Sequence, residues 1–249
     1  MLGSTFVDWA MLPQRMTATG IYRAAFDSPA PTVERFELHV STLHPGQTPH
    51  VPHCHPWEEI LILKEGRVEV SINGALSEAG PGGVIFFAAN DVHTVVNRSP
   101  EPATYYVINF FAAAHHNVRP EPAAEWAPAD KLKSAVMNWE QGTIKEATHD
   151  FRRVFINAST VTFTSLKVHA TTAAARRYPV RHTGHLNPLL VIVKEGAVES
   201  TIDGVSHLVG AGSMIFLAPG AIQTIANPGD VPATYYVVAV CTEETPRAA

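Results

Sequence analysis

Four side chains with metal-binding chemistry lie where one extended segment and one strand end could bring them together. His53 and His55 occupy alternate positions, and Glu59 follows His55 by four residues. Because alternate residues of an extended chain point to the same side, these groups can converge on one point. His93 follows the apolar run VIFFAA and adds a third imidazole. Mixed nitrogen and oxygen ligation of this kind suits first-row transition metals.

Two neighbouring features leave alternatives open. Glu58 competes with Glu59 for the carboxylate role, and the parity that Glu59 shares with His53 and His55 favours Glu59. The alternative without a metal is three histidines satisfied by ordinary hydrogen bonds near a surface loop. The adjacent pair His115-His116 is interpreted as solvated, since neighbouring side chains diverge.

The elements that must position these groups occur twice. The tripeptide KEG at 64–66 returns at 194–196, and at the same spacing ATYYV at 103–107 returns at 233–237. The duplicated unit runs from about residue 6 to 110 and again from 136 to 240, without gaps. Self-similarity over this length predicts two copies of one fold.

Each copy consists of short β-rich segments separated by turn residues. The segments of the first copy are ELHVSTL, EEILILK, RVEVSI, VIFFAA and TYYVINF. Asn73-Gly74 and its counterpart Asp203-Gly204 are typical of tight hairpin turns with positive φ. With no long amphipathic helix, the pattern predicts an all-β protein with double-sheet jelly rolls.

The histidine segment and the strand after it resemble the two motifs of the cupin family. The first motif is G-x5-H-x-H-x3,4-E-x6-G and the second is G-x5-P-x-G-x2-H-x3-N. One extra residue follows the first glycine, Ala88 replaces the proline, and Asn90 replaces the second glycine of the second motif. The matching residues are Gly46, His53, His55, Glu59, Gly66, Gly82, His93 and Asn97.

The resemblance, combined with the repeat, implies a bicupin of two tandem jelly-roll β-barrels. We expect a metal-binding barrel at 1–118, a linker at 119–135 and a second barrel at 136–249. In the second copy the ligand positions hold Thr183, His185, Leu189 and Gln223, so three of the four ligands are lost. We therefore predict one divalent transition metal per chain, with Fe, Mn, Ni, Co, Cu and Zn all open.

The resemblance also implies an enzyme that binds a small molecule. A dioxygenase of the quercetinase type would act on an enolic or aromatic substrate, with Glu59 as the catalytic base. A redox-neutral isomerase, lyase or decarboxylase acting on a carbonyl compound is the alternative. A third alternative is a bicupin that binds a small ligand without chemistry, because fold does not fix function.

Composition excludes several classes of partner. The net charge of -5 and the lack of a basic patch argue against nucleic acid. No apolar run is long enough to span a membrane, and the first residues do not resemble a secretory signal. Cys54 and Cys241 are too few for a disulfide framework, so we expect a cytoplasmic protein, with a homodimer left open.

Overall fold

The chain is almost entirely β-structure, as the sequence predicts. The computed structural model describes residues 1–118, 128–146, 150–182 and 185–246. The only helical elements in these ranges are three short 3-10 turns, at Trp9–Met11, Ala113–Asn117 and Trp139–Gln141. No helix in the described ranges has the length and hydrophobicity of a membrane span.

The described part of the chain contains twenty-one strands. The first ten are β1 Thr5–Val7, β2 Gln14–Thr17, β3 Gly20–Ala30, β4 Val33–Leu43, β5 Glu59–Glu65, β6 Val68–Ile72, β7 Ala75–Ala79, β8 Val84–Phe87, β9 His93–Val96 and β10 Ala103–Phe111. The others are β11 Ala135–Met137, β12 Thr143–Glu146, β13 Asp150–Ala158, β14 Ser165–Ala173, β15 Arg177–His182, β16 Leu189–Glu195, β17 Ala197–Ile202, β18 Val205–Gly210, β19 Met214–Leu217, β20 Gln223–Asn227 and β21 Ala233–Cys241.

Each copy forms a jelly roll from one large and one small antiparallel sheet. The large sheets have the orders β11-β8-β5-β10-β4-β3-β2 and β1-β19-β16-β21-β14-β13-β12. The small sheets have the orders β7-β6-β9 and β15-β20-β17-β18. The prediction of two tandem β-barrels is therefore confirmed.

The two copies exchange their first strands. β1 pairs with β19 of the second copy, and β11 pairs with β8 of the first copy. The residues after these strands reinforce the exchange, because the backbone N–H of Trp9 donates to Ser213 Oγ at 3.0 Å and Asn138 Oδ1 accepts from the backbone N–H of Gly80 at 2.9 Å. Each barrel is thus completed by the other half of the chain, and the domain limits 1–118 and 136–249 stay a prediction.

The large sheets share a hydrophobic core that contains residues of both copies. Phe36 of β4 stacks on Phe216 of β19 with ring centroids 5.2 Å apart. Two buried tyrosines cross between the copies, since Tyr106 donates to the Gly212 carbonyl at 3.0 Å and Tyr236 donates to the Gly82 carbonyl at 2.8 Å. Each barrel also encloses a smaller apolar cluster of its own.

Backbone conformation agrees with the turn residues. Asn73 and Gly74 have φ of 48° and 84°, as the two-residue hairpin between β6 and β7 requires. Asn90, which replaces the motif glycine, has φ of 65°, and its counterpart Gly220 has 82°. Asn tolerates this left-handed region, so the turn before His93 keeps its shape without the glycine.

Candidate metal centre

Three of the four predicted ligands come together in the first barrel. One ring nitrogen each from His53, His55 and His93 lies within 4.8 Å of the other two. His53 and His93 face each other through reciprocal backbone hydrogen bonds of 3.2 and 2.9 Å. The loop between β4 and β5 therefore runs beside the start of β9. This brings the imidazoles of His53 and His55 next to that of His93.

Backbone carbonyls determine how two of the rings point. His55 Nδ1 lies 2.7 Å from the Trp57 carbonyl oxygen, and His93 Nδ1 lies 2.8 Å from the Asp91 carbonyl oxygen. A carbonyl only accepts, so each Nδ1 carries the proton and each Nε2 presents a lone pair. This arrangement is the one that orients histidine ligands in metal sites.

Glu59 completes the group at the start of β5. Its two carboxylate oxygens lie 3.9 Å from His55 Nε2 and 3.9 Å from His93 Nε2, and its side chain is only 15% exposed. These separations are too long for hydrogen bonds and leave room for a cation, which the three residues would hold together with His53. Glu59 thus lies close to two of the three predicted histidine ligands.

Burial sets the protonation of the cluster. It lowers the pKa of His55 to about 4 and that of His93 to about 3, so both rings are neutral at neutral pH. Burial, followed by the charge of Glu37, raises the pKa of Glu59 to about 7, while a hydrogen bond with Asn109 opposes the rise. The two neutral imidazoles do not compensate the negative charge of an ionised Glu59. A cation would stabilise the carboxylate.

Three histidine ring nitrogens of the cluster lack hydrogen-bond partners in the described part of the chain, which is what a metal site requires of its ligands. His53 Nδ1, His55 Nε2 and His93 Nε2 are buried and have no hydrogen-bond partner among the described residues. Buried polar atoms are seldom left unsatisfied, and three around one point require an explanation. The donor set of three imidazoles and one carboxylate suits a divalent transition metal.

Aromatic rings pack against two of the imidazoles. Trp57 stacks on His55 with ring centroids 4.3 Å apart, and Phe87 stacks on His93 at 4.1 Å. His50 lies edge-on to His53 at 3.9 Å. The rings limit rotation of the imidazoles, so the candidate site is held in place before any ion binds.

Glu58 points away from the cluster and joins the two copies. Its buried carboxylate accepts from Thr160 Oγ1 at 2.5 Å, from Thr162 Oγ1 at 2.6 Å and from the backbone N–H of Val161 at 3.0 Å. The alternative that Glu58 is the carboxylate ligand does not fit this placement. Sequence reasoning missed its role because its partners lie about a hundred residues further along the chain.

Three of the four positions in the second barrel that match the predicted ligands are described. His185, Leu189 and Gln223 line a cavity in its interior, while Thr183 lies outside the described residues. Gln223 Nε2 donates to Ser200 Oγ at 2.9 Å, so the position that matches His93 takes part in a hydrogen bond within the barrel.

A second group of possible ligands lies at the surface. Glu34, His115 and His116 bring one ligand atom each within 4.8 Å, and His116 Nε2 is 2.8 Å from Glu34 Oε2. The rings of His115 and His116 do not diverge, since their centroids are 4.0 Å apart. Sequence reasoning missed this group because Glu34 is distant along the chain. Two of its three members are exposed, unlike the buried cluster in the barrel.

Comparison with known sequences finds one family twice. A family model described as a cupin domain matches residues 39–109 and again residues 169–239. These two ranges contain His39 to Asn109 and their counterparts, and so include His53, His55, Glu59 and His93. No curated protein matches the chain significantly in sequence.

Solved structures with the same fold are distant in sequence. The protein YlbA from E. coli superposes with a TM-score of 0.73 at 13% identity, over 99% of this chain and 93% of that one. A variant of the Bacillus subtilis oxalate decarboxylase gives 0.70 at 11% identity, over 97% and 78%. A variant of salicylate 1,2-dioxygenase from Pseudoaminobacter salicylatoxidans gives 0.65 at 12% identity, over 82% and 70%. At these identities the likeness shows the fold alone.

Proposed function

The chain belongs to the cupin family with two copies of that domain, and from this premise we propose that it is a metal-dependent enzyme acting on a small molecule. His53, His55, Glu59 and His93 would hold one divalent transition metal in the first barrel. The substrate would be an enolic, aromatic or carbonyl compound. A homodimer stays a prediction.

One observation carries this proposal. Three buried imidazole nitrogens without hydrogen-bond partners surround one point, and Glu59 stands 3.9 Å from two of the rings. A purely structural histidine would form hydrogen bonds at these nitrogens, and none is found at the three atoms among the described residues. Leaving buried donors or acceptors unpaired costs about 1–3 kcal/mol each, so their retention favours a functional role.

The residues around the site supply positioning and proton transfer. When bound, the metal would supply Lewis acidity toward a substrate oxygen. Glu59 would accept or return a proton at its carboxylate oxygen, as a general base or acid does. Asn109 would orient Glu59, because its amide also donates to Glu37 Oε2 at 2.9 Å and is thereby held in place.

Two reaction classes use this arrangement. A dioxygenase would need Glu59 to deprotonate an enol or phenol before oxygen reacts. A redox-neutral isomerase, lyase or decarboxylase would need the same carboxylate to move a proton next to a carbonyl. Among the similar structures, one is a variant of salicylate 1,2-dioxygenase and another a variant of an oxalate decarboxylase, which supports testing both classes.

The test is metal loading followed by turnover. Protein loaded with Fe, Mn, Ni, Co, Cu or Zn would be incubated with a panel of enols, phenols and oxo acids while oxygen uptake and product are followed. We expect turnover with one of the metals and a loss of about 100-fold or more in Glu59→Gln. Glu65→Gln, an exposed carboxylate at the end of the same strand, is the control. The absence of turnover with every metal and substrate would favour the third alternative, a bicupin that binds a ligand without chemistry.

A further inference from the structure

The second barrel encloses a cavity of about 250 Å³ in its interior. Its lining comes from β13, β14, β16, β20 and β21 and from the loop before β16. Allowing for the spacing of 130 residues, these positions match those that surround the metal ligands in the first barrel. The cavity is therefore the second copy's version of the candidate active site.

The charged side chains that line the two barrels differ, and the two cations of the second barrel are exposed to solvent. Lys167 lines the cavity where the first copy has Glu37, and Leu189 stands where it has Glu59. Arg152 also lines the cavity, at the position of Tyr22. The first interior is built to receive a cation, whereas no acidic side chain lines the second among the described residues.

Two large rings beside the first site are replaced by smaller residues in the second barrel. Trp57 and Phe111 lie with ring centroids 5.2 Å apart beside the first site. Their counterparts are Asn187 and Cys241, which are much smaller and line the cavity. The loss of two large rings leaves space that a small organic ligand can occupy.

The two cations are available to such a ligand. Neither Arg152 nor Lys167 forms an ion pair within the described part of the chain. The nearest acidic residue in sequence, Asp150, is bound to Arg177 at 3.1 Å, with both side chains 21% exposed. Asp150 is thus neutralised by a different arginine and does not cancel the charge of Arg152.

The remaining walls combine apolar surface with polar groups. Val191, Ile225 and Val237 supply aliphatic surface, and the buried Thr171 and Gln223 supply polar atoms. Ligand sites are typically apolar cavities with a few polar or charged groups that orient the ligand. Two cations over an aliphatic wall match a small anion with an apolar body.

We propose that the second barrel is a metal-independent binding site for a small organic carboxylate. The carboxylate would lie against Arg152 and Lys167, and its apolar body would fill the space beside Val191 and Ile225. Charge-assisted hydrogen bonds to a carboxylate are the strong ones, and arginine can make two in parallel. This site does not depend on the function proposed for the first barrel.

The test uses 4-fluorobenzoate as the anionic probe and 4-fluorobenzamide as its uncharged isostere. Binding to metal-free protein would be followed by fluorine NMR and by calorimetry at low and high salt. We expect the carboxylate to bind at least about 10-fold more tightly than the amide, with affinity falling as salt rises. His55→Ala should bind the probe as the wild type does, because it alters only the first barrel.

Two variants locate the site. The double variant Arg152→Met with Lys167→Met should lower the affinity for 4-fluorobenzoate at least about 10-fold. Arg181→Met is the matched control. Arg181 belongs to the same barrel but pairs with Thr224, between the positions of the two cavity residues Gln223 and Ile225, so its side chain points outward.

Several results would overturn the proposal. These are an amide that binds as tightly as the carboxylate, a double variant with unchanged affinity, or a control variant that loses as much as the double variant. Failure of 4-fluorobenzoate to bind at millimolar concentration would also overturn it. Probe binding that disappears in His55→Ala would assign the anion to the first barrel. None of these results depends on whether the first barrel binds a metal, which metal content measures separately.

Discussion

The surroundings of His55, His93 and Glu59 are the most informative feature at the scale of single residues. Backbone carbonyls hold the Nδ1 protons of His55 and His93, so the Nε2 atoms have no structural task among the described residues. Glu59 lies between them with a pKa raised to about 7 by burial. A divalent ion would account for the unpartnered Nε2 atoms and for the buried Glu59 together, because it accepts the nitrogen lone pairs and stabilises the carboxylate.

His53→Ala and His93→Ala should each lower metal occupancy strongly. Each change removes one of the few bonds that hold the ion. Metal content would be measured by mass spectrometry of protein purified without added metal. His44→Ala, an exposed histidine before the ligand loop, is the control and should keep its metal. Unchanged occupancy in both His53→Ala and His93→Ala would place the ligands elsewhere.

The positions of the candidate ligands were predictable from the sequence because they depend on local spacing. Alternation along an extended segment brings His53 and His55 to one side, and the turn at Asn90 leads into His93. The choice between Glu58 and Glu59 had only parity and family spacing behind it. The structure supplies the physical reason, since Glu58 is engaged by Thr160 and Thr162 of the other copy.

At the scale of elements, Glu58 connects the ligand loop to the segment between β13 and β14. Its carboxylate accepts three hydrogen bonds and is 1% exposed. The residue directly before Glu59 is thereby held against the other copy. β5 begins at Glu59, directly after this contact.

Glu58→Ala should destabilise the protein by about 2–4 kcal/mol, because it leaves the Thr160 and Thr162 hydroxyls and the Val161 N–H buried without their acceptor. Chemical denaturation with an unchanged slope would measure the loss. Glu78→Ala, whose carboxylate forms an exposed ion pair with Arg67, is the control and should change stability little. Equal effects of the two changes would show that Glu58 does not join the copies.

Short strands and hairpins were predictable, but their exchange between copies was not. Strict alternation in Val68–Ile72 and the Asn73-Gly74 turn define β6 and β7 from local sequence. β1 has only three residues, and its partner β19 lies about two hundred residues away. No local pattern specifies such a pairing, which depends on the docking of the two large sheets.

At the scale of the whole molecule, we expect the two copies to unfold as one unit. Their large sheets share a core, exchange strands and are crossed by the Tyr106 and Tyr236 hydrogen bonds. The interiors of the barrels are specialised differently, with a histidine and carboxylate cluster in one and a cationic cavity in the other. Equivalent contacts between the copies therefore occur in both halves, whereas the residues that line the two interiors differ.

Phe216→Ala should lower the midpoint of a single unfolding transition. Phe216 is fully buried and stacks on Phe36 of the other copy, so its loss should cost about 3–5 kcal/mol. Calorimetry together with tryptophan fluorescence would follow both halves of the chain. Two separate transitions, with only the later half of the chain destabilised, would show that the barrels unfold independently.

The central claim is that one copy of the fold holds a metal and the other does not, and matched histidines test it most directly. Metal content per chain would be measured in the wild type, in His55→Ala and in His185→Ala, together with the thermal midpoint of each. His55 stands beside Glu59, whereas the matching neighbour of His185 is the apolar Leu189. We expect a metal content of about one ion per chain in the wild type and in His185→Ala, and almost none in His55→Ala. His185→Ala should lower the free energy of unfolding only slightly, on the order of 1 kcal/mol, and the thermal midpoint should fall accordingly. Two tightly held metals in the wild type, or equal metal loss in the two variants, would contradict the account.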